Sequence, residues 1–172
     1  MNVKFLNPFV EAAYEVLQAE AGFQMKRGEL GLEKEPYVTN DVTVIISLVG
    51  NVEGSVFYGM DLRTALLLAS KMLGENFAEF NNLAQSGIAE LGNVITGRAS
   101  VKLSQAGYTA NISPPTLVHG KGAVVSTPDI ARLVVPLVGE CGGIVINLAL
   151  RESLSKPLHL TEIPVPERPS LR

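Results

Sequence analysis

A repeated pattern constrains this sequence more strongly than any other feature. The segments VIISLVGNVEGSVFY (44–58) and LVVPLVGECGGIVIN (133–147) share their spacing of apolar residues and glycines. A single offset along the chain places Val49-Gly50 on Val138-Gly139, Gly54 on Gly143 and Val56 on Val145. Each segment is rich in β-branched residues and has turn-forming residues at its centre, which is typical of a β-hairpin.

The residues that precede each hairpin repeat as well. AEAGF (19–23) and SQAGY (104–108) correspond when the offset is shortened by four residues. Any two helix–hairpin units look somewhat alike, but here the order of elements recurs together with the letters. Recurrence of a whole unit is the signature of internal duplication, which we therefore predict.

The duplication implies an architecture. We expect an α+β fold of two helix–hairpin halves with pseudo-two-fold symmetry, in which an antiparallel sheet packs with two long helices. The expected domain covers residues 1–155, with halves at about 5–75 and 80–155. Residues 156–172 contain four prolines and are expected to form a separate tail.

Helix signals complete the predicted order of elements. PFVEAAYEVLQAEAG has helical apolar spacing and stops at Gly22. A second helix is expected between Asp61 as N-cap and Gly74 as the C-terminal stop. A third is expected from about Glu79 to Gln105.

Composition excludes several classes of function. The net charge is −3 and the basic residues are scattered, so we expect no nucleic-acid partner. The longest apolar run, 42–50, is too short to span a bilayer, and no signal-peptide core is visible, so we expect a cytoplasmic protein that does not bind membranes. One cysteine and two histidines predict no internal disulfide and no metal site of the chain's own.

The third helix carries an unusual polar stripe within SGIAELGNVITGRAS (86–100). At about 100° per residue, Ser86, Glu90, Asn93 and Gly97 fall within a sector roughly 60° wide. The stripe is extended by Glu79, Asn82, Ser100 and Ser104. The opposite, apolar arc is expected to face the core and to be widened by Leu83, Val94 and Val101.

Three glycines interrupt this helix, each at a cost of roughly 1 kcal/mol relative to alanine. Gly87 and Gly92 lie off the polar sector, so we expect them to allow close packing against the sheet or the other long helix. Gly97 lies on the exposed sector, where it would let the surface of a partner approach. Under the repeat, Phe5 and Pro8 stand where Glu90 and Asn93 would be in the first half, so the polar pair occurs once.

The arrangement Ser86-x-x-x-Glu90-x-x-Asn93 resembles the signature of the CheC/CheX/FliY phosphatases of bacterial chemotaxis. The flanking SGIAELGNVITG, the N-terminal NPF, ISPPT (112–116) and VGNVEGSVFYGM are similar to the CheX branch of that family. The resemblance covers roughly residues 1–150. Members of the CheC type carry the motif in both halves, whereas this chain has it once.

The resemblance implies hydrolysis of the aspartyl phosphate on a CheY-type response regulator. Glu90 and Asn93 would be the catalytic residues, and Ser86 and Gly97 would help to bind the partner. The Mg²⁺ ion would sit on the regulator, and the chain would form a homodimer through sheet edges. The alternative is a non-catalytic module that binds response regulators or flagellar-switch proteins. A structural domain without a phosphoprotein partner is a third possibility.

The chemistry of the pair suggests a division of roles. An asparagine carboxamide does not titrate near neutral pH, so Asn93 is suited to holding and orienting a water molecule. The resemblance implies that Glu90 pairs with the active-site lysine of the regulator. A rival role for Glu90 as general base is less favourable, because a carboxylate aimed at a phosphoryl group adds repulsion.

Other candidate groups have less support. His119 is expected in a glycine-rich loop without a partner, and Cys141 is expected to be a bystander in the second hairpin turn. Asp129 and Arg132 are expected to form a surface pair at most.

Overall fold

The computed structural model describes residues 3–127 and 129–153. A short 3-10 turn (Val3–Phe5) leads into the first helix. The helices are α1 (Leu6–Ala21), α2 (Leu62–Leu73) and α3 (Asn82–Gln105). The strands are β1 (Met25–Arg27), β2 (Gly31–Glu33), β3 (Tyr37–Val38), β4 (Val42–Gly50), β5 (Val52–Met60), β6 (Ala110–Ile112), β7 (Thr116–His119), β8 (Val124–Val125), β9 (Arg132–Gly139) and β10 (Gly142–Glu152). The predicted tail, 156–172, lies outside the described residues.

The two predicted hairpins form the middle of one antiparallel sheet. Its strand order is β1-β9-β10-β5-β4-β6, with β2 also paired to β9 and β7 also paired to β4. The hairpins meet at the β5–β10 pair. The short strands of each half extend the hairpin of the other half, so the halves are interleaved. The predicted α+β fold, with an antiparallel sheet and long helices, is confirmed.

Strand register agrees with the two offsets that the sequence repeat requires. Met25 pairs with Gly139 at one side of the sheet, and Ala110 pairs with Gly50 at the other. Met25 corresponds to Ala110 under the offset that relates the helices, and Gly139 corresponds to Gly50 under the offset that relates the hairpins. The two pairs are therefore equivalent positions in the two halves. The hairpins differ at their tips, where Asn51 alone separates β4 from β5, whereas two residues separate β9 from β10. These registers support the predicted duplication, which stays a prediction.

The main core lies between one face of the sheet and the helices. In β4 the side chains of Val44, Ile46 and Leu48 alternate toward this core, as a half-buried strand requires. Leu68 of α2 and Ile88 of α3 meet them from the helical layer. The amphipathic helices therefore cover the sheet with their apolar faces.

The opposite face of the sheet has a smaller cluster around Tyr37 and Phe57, whose rings stack at 4.6 Å.

The expectation that Asp129 and Arg132 form a surface pair is wrong. Arg132 is 2% exposed and donates to Asn147 Oδ1 at 2.7 Å and to Glu33 Oε2 at 2.7 Å. Long-range pairing of β2 with β9 places Glu33 beside it, and a local sequence pattern does not reveal such a contact.

Most helix ends follow their sequence signals. Gly22 and Gly74 are left-handed C-caps, and the carboxylate of Asp61 accepts the Thr64 N–H at 2.7 Å. The third helix starts later than predicted, at Asn82, because Asn81 is extended and its side chain caps the Ala84 N–H at 3.0 Å. Glu79 therefore lies outside the polar stripe of α3.

Candidate functional site

Two of the three glycines hold α3 close to its neighbours: Gly92 meets the sheet, as predicted, whereas Gly87 meets the shorter helix α2. A Cβ atom added to Gly87 would lie 3.1 Å from Leu73 Cδ1 of α2. At Gly92 it would lie 2.8 Å from Val44 Cγ1 and 3.4 Å from Tyr58 Cδ2 of the sheet. Any larger residue at Gly92 would push the middle of α3 away from the sheet.

The predicted polar pair lies on the outward face of this anchored segment. Glu90 is exposed and Asn93 is half-buried, one turn further along. Asn93 Nδ2 donates to Glu90 Oε2 at 3.3 Å. An ionised carboxylate only accepts hydrogen bonds, so this contact orients the amide with its nitrogen toward Glu90. The amide oxygen of Asn93 is then the atom that can accept a hydrogen bond from water.

Ser86 and Gly97 extend the same face in both directions. Ser86 is exposed one turn before Glu90, and Gly97 is half-buried one turn after Asn93. A Cβ atom at Gly97 would lie 3.8 Å from Ile112 Cδ1, which is an ordinary van der Waals distance. Packing within the chain therefore does not require glycine at position 97. Beyond it, Ser100 Oγ donates to the Ala110 carbonyl at 2.9 Å and ties α3 to β6.

A buried hydrogen-bond chain beneath the pair was not found from the sequence. Thr96 Oγ1 donates to the Gly92 carbonyl at 2.8 Å, and Tyr58 Oη lies 2.7 Å from Thr96 Oγ1. Because the threonine has one hydroxyl hydrogen and uses it on Gly92, Tyr58 is the donor to Thr96. Burial raises the pKa of the Tyr58 phenol, so it keeps this proton. The bond joins β5 to α3 and has no local sequence signal.

The apolar arc of α3 is narrower than predicted. Leu83 and Val101 were expected to widen the buried side, but they are 50% and 59% exposed. Val94 is partly buried against the core. The sheet, α1 and α2 cover only the centre of the arc, so these three side chains border the polar face on the side of Glu90.

Further around α3, past these apolar side chains, the helix is charged where it faces α1. Lys102 Nζ lies 2.8 Å from Glu15 Oε1 and 3.2 Å from Glu11 Oε2, and Arg98 Nη1 lies 3.3 Å from Glu15 Oε2. The hydrogen bond from Lys102 is the main reason why the pKa of the Glu15 carboxyl is lowered. These exposed pairs link the two long helices and leave Glu90 outside their network.

His119 and Cys141 lie apart from the polar pair. His119 ends β7 rather than lying in a loop, and its ring meets Phe80 edge to face at 5.1 Å. Cys141 is buried, and its Sγ lies 3.7 Å from Met25 Sδ; burial raises the pKa of its thiol. Within the described ranges no three His, Cys, Asp or Glu side chains cluster as metal ligands would. Nor does any helix there have the length and apolar character to cross a membrane.

Comparisons with known proteins relate this arrangement to a family. The family model described as chemotaxis phosphatase CheX matches residues 42–138. The CheY-P phosphatase CheX of Thermotoga maritima is 30% identical over 122 residues, which cover 70% of this chain and 79% of that protein.

Solved structures agree over a larger part of the chain. A CheC-like superfamily protein from Shewanella sp. PV-4 has a TM-score of 0.80 at 29% identity, covering 88% of this chain and 99% of that one. A chain of the CheX–CheY–BeF₃–Mg²⁺ complex from Borrelia burgdorferi has a TM-score of 0.75 at 31% identity, covering 88% of this chain and all of that one. The family model and the relative from Thermotoga maritima show the family, and the chain belongs to the CheX family of chemotaxis phosphatases.

Proposed function

We propose that this protein hydrolyses the aspartyl phosphate of a CheY-type response regulator. The observation that carries the proposal is the Glu90–Asn93 pair, presented on the exposed face of a helix whose buried face is locked to the sheet. The relative from Thermotoga maritima is a CheY-P phosphatase, and the relative from Borrelia burgdorferi forms a complex with CheY. Both support the same class of partner for this chain.

Asn93 is the residue that positions the attacking water. Phosphoryl transfer has a loose transition state, so alignment of the nucleophile contributes more than its deprotonation. The amide oxygen of Asn93 accepts one hydrogen of the water and restricts its orientation toward phosphorus. This is an entropic contribution, and it depends on a fixed side chain. The half-buried position of Asn93 and its bond to Glu90 reduce the number of rotamers that it samples.

Glu90 docks the regulator. Its exposed carboxylate keeps the contact with Asn93 through Oε2, and its second oxygen can accept a charge-assisted hydrogen bond from a cationic group of the partner. A lysine beside the phosphorylated aspartate would have the required charge. Such a pair would set the register of α3 over the phosphate and leave Asn93 directed at it.

Ser86 and Gly97 belong to the same docking face. Ser86 contributes a hydroxyl one turn before Glu90. Gly97 has no side chain, so the surface of a partner can approach α3 closely one turn after Asn93. The complex of the Borrelia relative contains Mg²⁺, which supports a partner that brings its own metal. We further propose that the protein acts in the cytoplasm as a homodimer joined through sheet edges.

The test is phosphate release from a CheY-type regulator phosphorylated with acetyl phosphate in the presence of Mg²⁺. We expect Asn93→Ala to lower kcat about 100-fold with little change in KM, because binding is retained while the water is no longer oriented. Asn7→Ala removes an exposed asparagine from α1, outside the polar stripe of α3, and is the matched control. Equal rates for the wild type and Asn93→Ala would contradict the role of Asn93.

Glu90→Gln separates docking from general-base catalysis. The substitution keeps the size of the side chain and removes its charge. If Glu90 docks a cation, KM rises and its salt dependence disappears; if it is the base, kcat falls at constant KM. A wild-type protein that binds the phosphorylated regulator without accelerating phosphate release would instead be a binding module.

A further inference from the structure

We infer that an apolar ridge beside Glu90 is a second docking element for the response regulator, and this inference rests on the proposed function. The apolar ridge consists of Leu73 at the end of α2 and of Leu83, Val94 and Val101 along α3. It would bind apolar side chains that surround the phosphorylated aspartate of the regulator. Neither the ridge nor its residues belong to the Glu90–Asn93 motif.

The ridge is exposed on the side of α3 that carries Glu90. At about 100° per residue, Leu83 and Val101 lie roughly 20° around the helix from Glu90, and Val94 roughly 40°. Leu83 and Val101 are about 27 Å apart along the axis at 1.5 Å per residue. Glu90 lies between them, so the ridge and the polar pair form one continuous face.

Leu73 widens the ridge at the level of Gly87. Its Cδ1 would be 3.1 Å from a Cβ atom at that position, so the leucine lies directly over the glycine while 42% of it remains exposed. Gly87 thus brings the end of α2 to the same surface as Glu90. Because Gly87 allows this close approach, Leu73 of α2 becomes part of the face of α3 that would meet the partner.

Isolated apolar side chains are common on protein surfaces, but those of α3 are aligned along one helix face, which contains Glu90 and small residues and is bordered by Arg98. An exposed carboxylate contributes little net affinity, because water and salt screen it. Burial of apolar surface is the usual source of affinity, whereas charged contacts set orientation and association rate. The ridge is therefore suited to binding strength, and Glu90 and Asn93 are suited to register and chemistry.

The location of the ridge beside the polar pair favours the response regulator over other partners that could cover it. A partner that placed a phosphoryl group against Asn93 and a cation against Glu90 would extend over both sides of α3. On the Asn93 side it would meet Ser86 and Asn82, and on the Glu90 side it would meet the ridge. Charged pairs with α1 border the ridge on the side away from Glu90, at Arg98 and Lys102.

The experiment compares Leu83→Ser, Val101→Ser and the double variant with the wild type. Val138→Ser is the matched control, because Val138 is 55% exposed on β9, away from α3, and Val101 is 59% exposed. We expect the double variant to raise KM for the phosphorylated regulator about tenfold with kcat within twofold of the wild type, which is the pattern of lost uniform binding. Val138→Ser should leave both constants unchanged.

Salt provides a readout that distinguishes the ridge from Glu90. The ridge variants should keep the rise of KM with ionic strength, whereas Glu90→Gln should lose it. If the wild type is active and the double variant has the same KM, the inference about the ridge is wrong and the proposed function is unaffected. A change from dimer to monomer without a change in KM would assign the ridge to a second copy of this chain and also overturn the inference.

A binding titration separates failure of the ridge from failure of the proposed function. Wild type and variants would be titrated with the regulator, Mg²⁺ and BeF₃. Binding that depends on Leu83 and Val101 in a protein without turnover would retain the ridge and reject the phosphatase. A wild type that neither binds nor releases phosphate would reject both.

Discussion

The helices α1 and α3 correspond under the sequence repeat, but they use the same position in opposite ways. Phe5 of the first half stands where Glu90 stands in the second. Phe5 is 2% exposed and meets the ring of Tyr108 edge to face at 5.4 Å, whereas Glu90 faces solvent. Phe5 also precedes α1, in the 3-10 turn, whereas Glu90 lies in the third turn of α3.

This difference shows how one half can be specialised without loss of the fold. The first half uses the position to close the core near the end of α3, since Tyr108 follows that helix. The second half leaves the position open to a partner. A single polar pair is compatible with the architecture because the residues that pair the strands lie elsewhere.

The largest effect is expected when the first half is given the polar residue that the second half has at the equivalent position. Phe5→Glu removes a buried ring and places a carboxylate in an apolar site, so we expect a loss of about 4 kcal/mol in the free energy of unfolding. Asn7→Glu, an exposed neighbour on α1, should change it by less than about 0.5 kcal/mol. Urea denaturation of both variants provides the measurement. A mild effect of Phe5→Glu would mean that this site tolerates polarity.

The glycines of α3 provide a second, smaller contrast. Gly92→Ala should destabilise the protein by about 2 kcal/mol, because its Cβ would lie 2.8 Å from Val44 Cγ1. Gly97→Ala should stabilise it by up to about 1 kcal/mol, because the new methyl group has room and alanine favours helix. Gly97→Ala should at the same time raise KM for the regulator. Thermal unfolding and steady-state kinetics would test both, and equal effects on stability would refute the distinction.

The hydrogen bond from Tyr58 to Thr96 belongs to the second half of the comparison, because it fastens the helix that carries the polar pair. Tyr58→Phe leaves the Thr96 hydroxyl without its buried donor, so we expect a loss of about 1.5 kcal/mol. We also expect kcat to fall severalfold at constant KM, since Asn93 follows Gly92 directly. If kcat is unchanged while stability falls, the bond supports the fold alone.

The N-cap of α2 is expected to have the smallest effect. The Thr64 N–H is the first reason why the pKa of Asp61 is lowered below its ordinary value of 3.8. The cap therefore stabilises the protein above that value, and the stabilisation is lost as pH falls through the folded-state pKa. Asp61→Ala should cost about 1 kcal/mol at neutral pH and less in acid. Asp61→Asn keeps a capping oxygen that does not titrate, so unfolding measured against pH should show a weaker acid dependence.

Signals that act over short distances were read correctly from the sequence. The caps at Asp61, Gly22 and Gly74 and both hairpins are where the pattern placed them, because each depends on the conformational preferences of a few adjacent residues. The close packing of Gly87 and Gly92 was also predicted, since a glycine inside a helix is unfavourable unless a neighbour needs the space. Placement of Glu90 and Asn93 on one helix face follows from helical periodicity alone.

What the sequence determined by itself was thus the order of elements and the shared face of the polar pair. Tertiary structure alone decided which residues are buried where distant segments meet. It buried Arg132 by bringing Glu33 beside it, joined Tyr58 to Thr96, and left Leu83 and Val101 exposed at the limit of the core. Burial depends on which neighbour covers a side chain, and pairing of strands far apart in the chain decides that neighbour. The helix face was therefore predictable from periodicity, whereas the apolar ridge beside it was not.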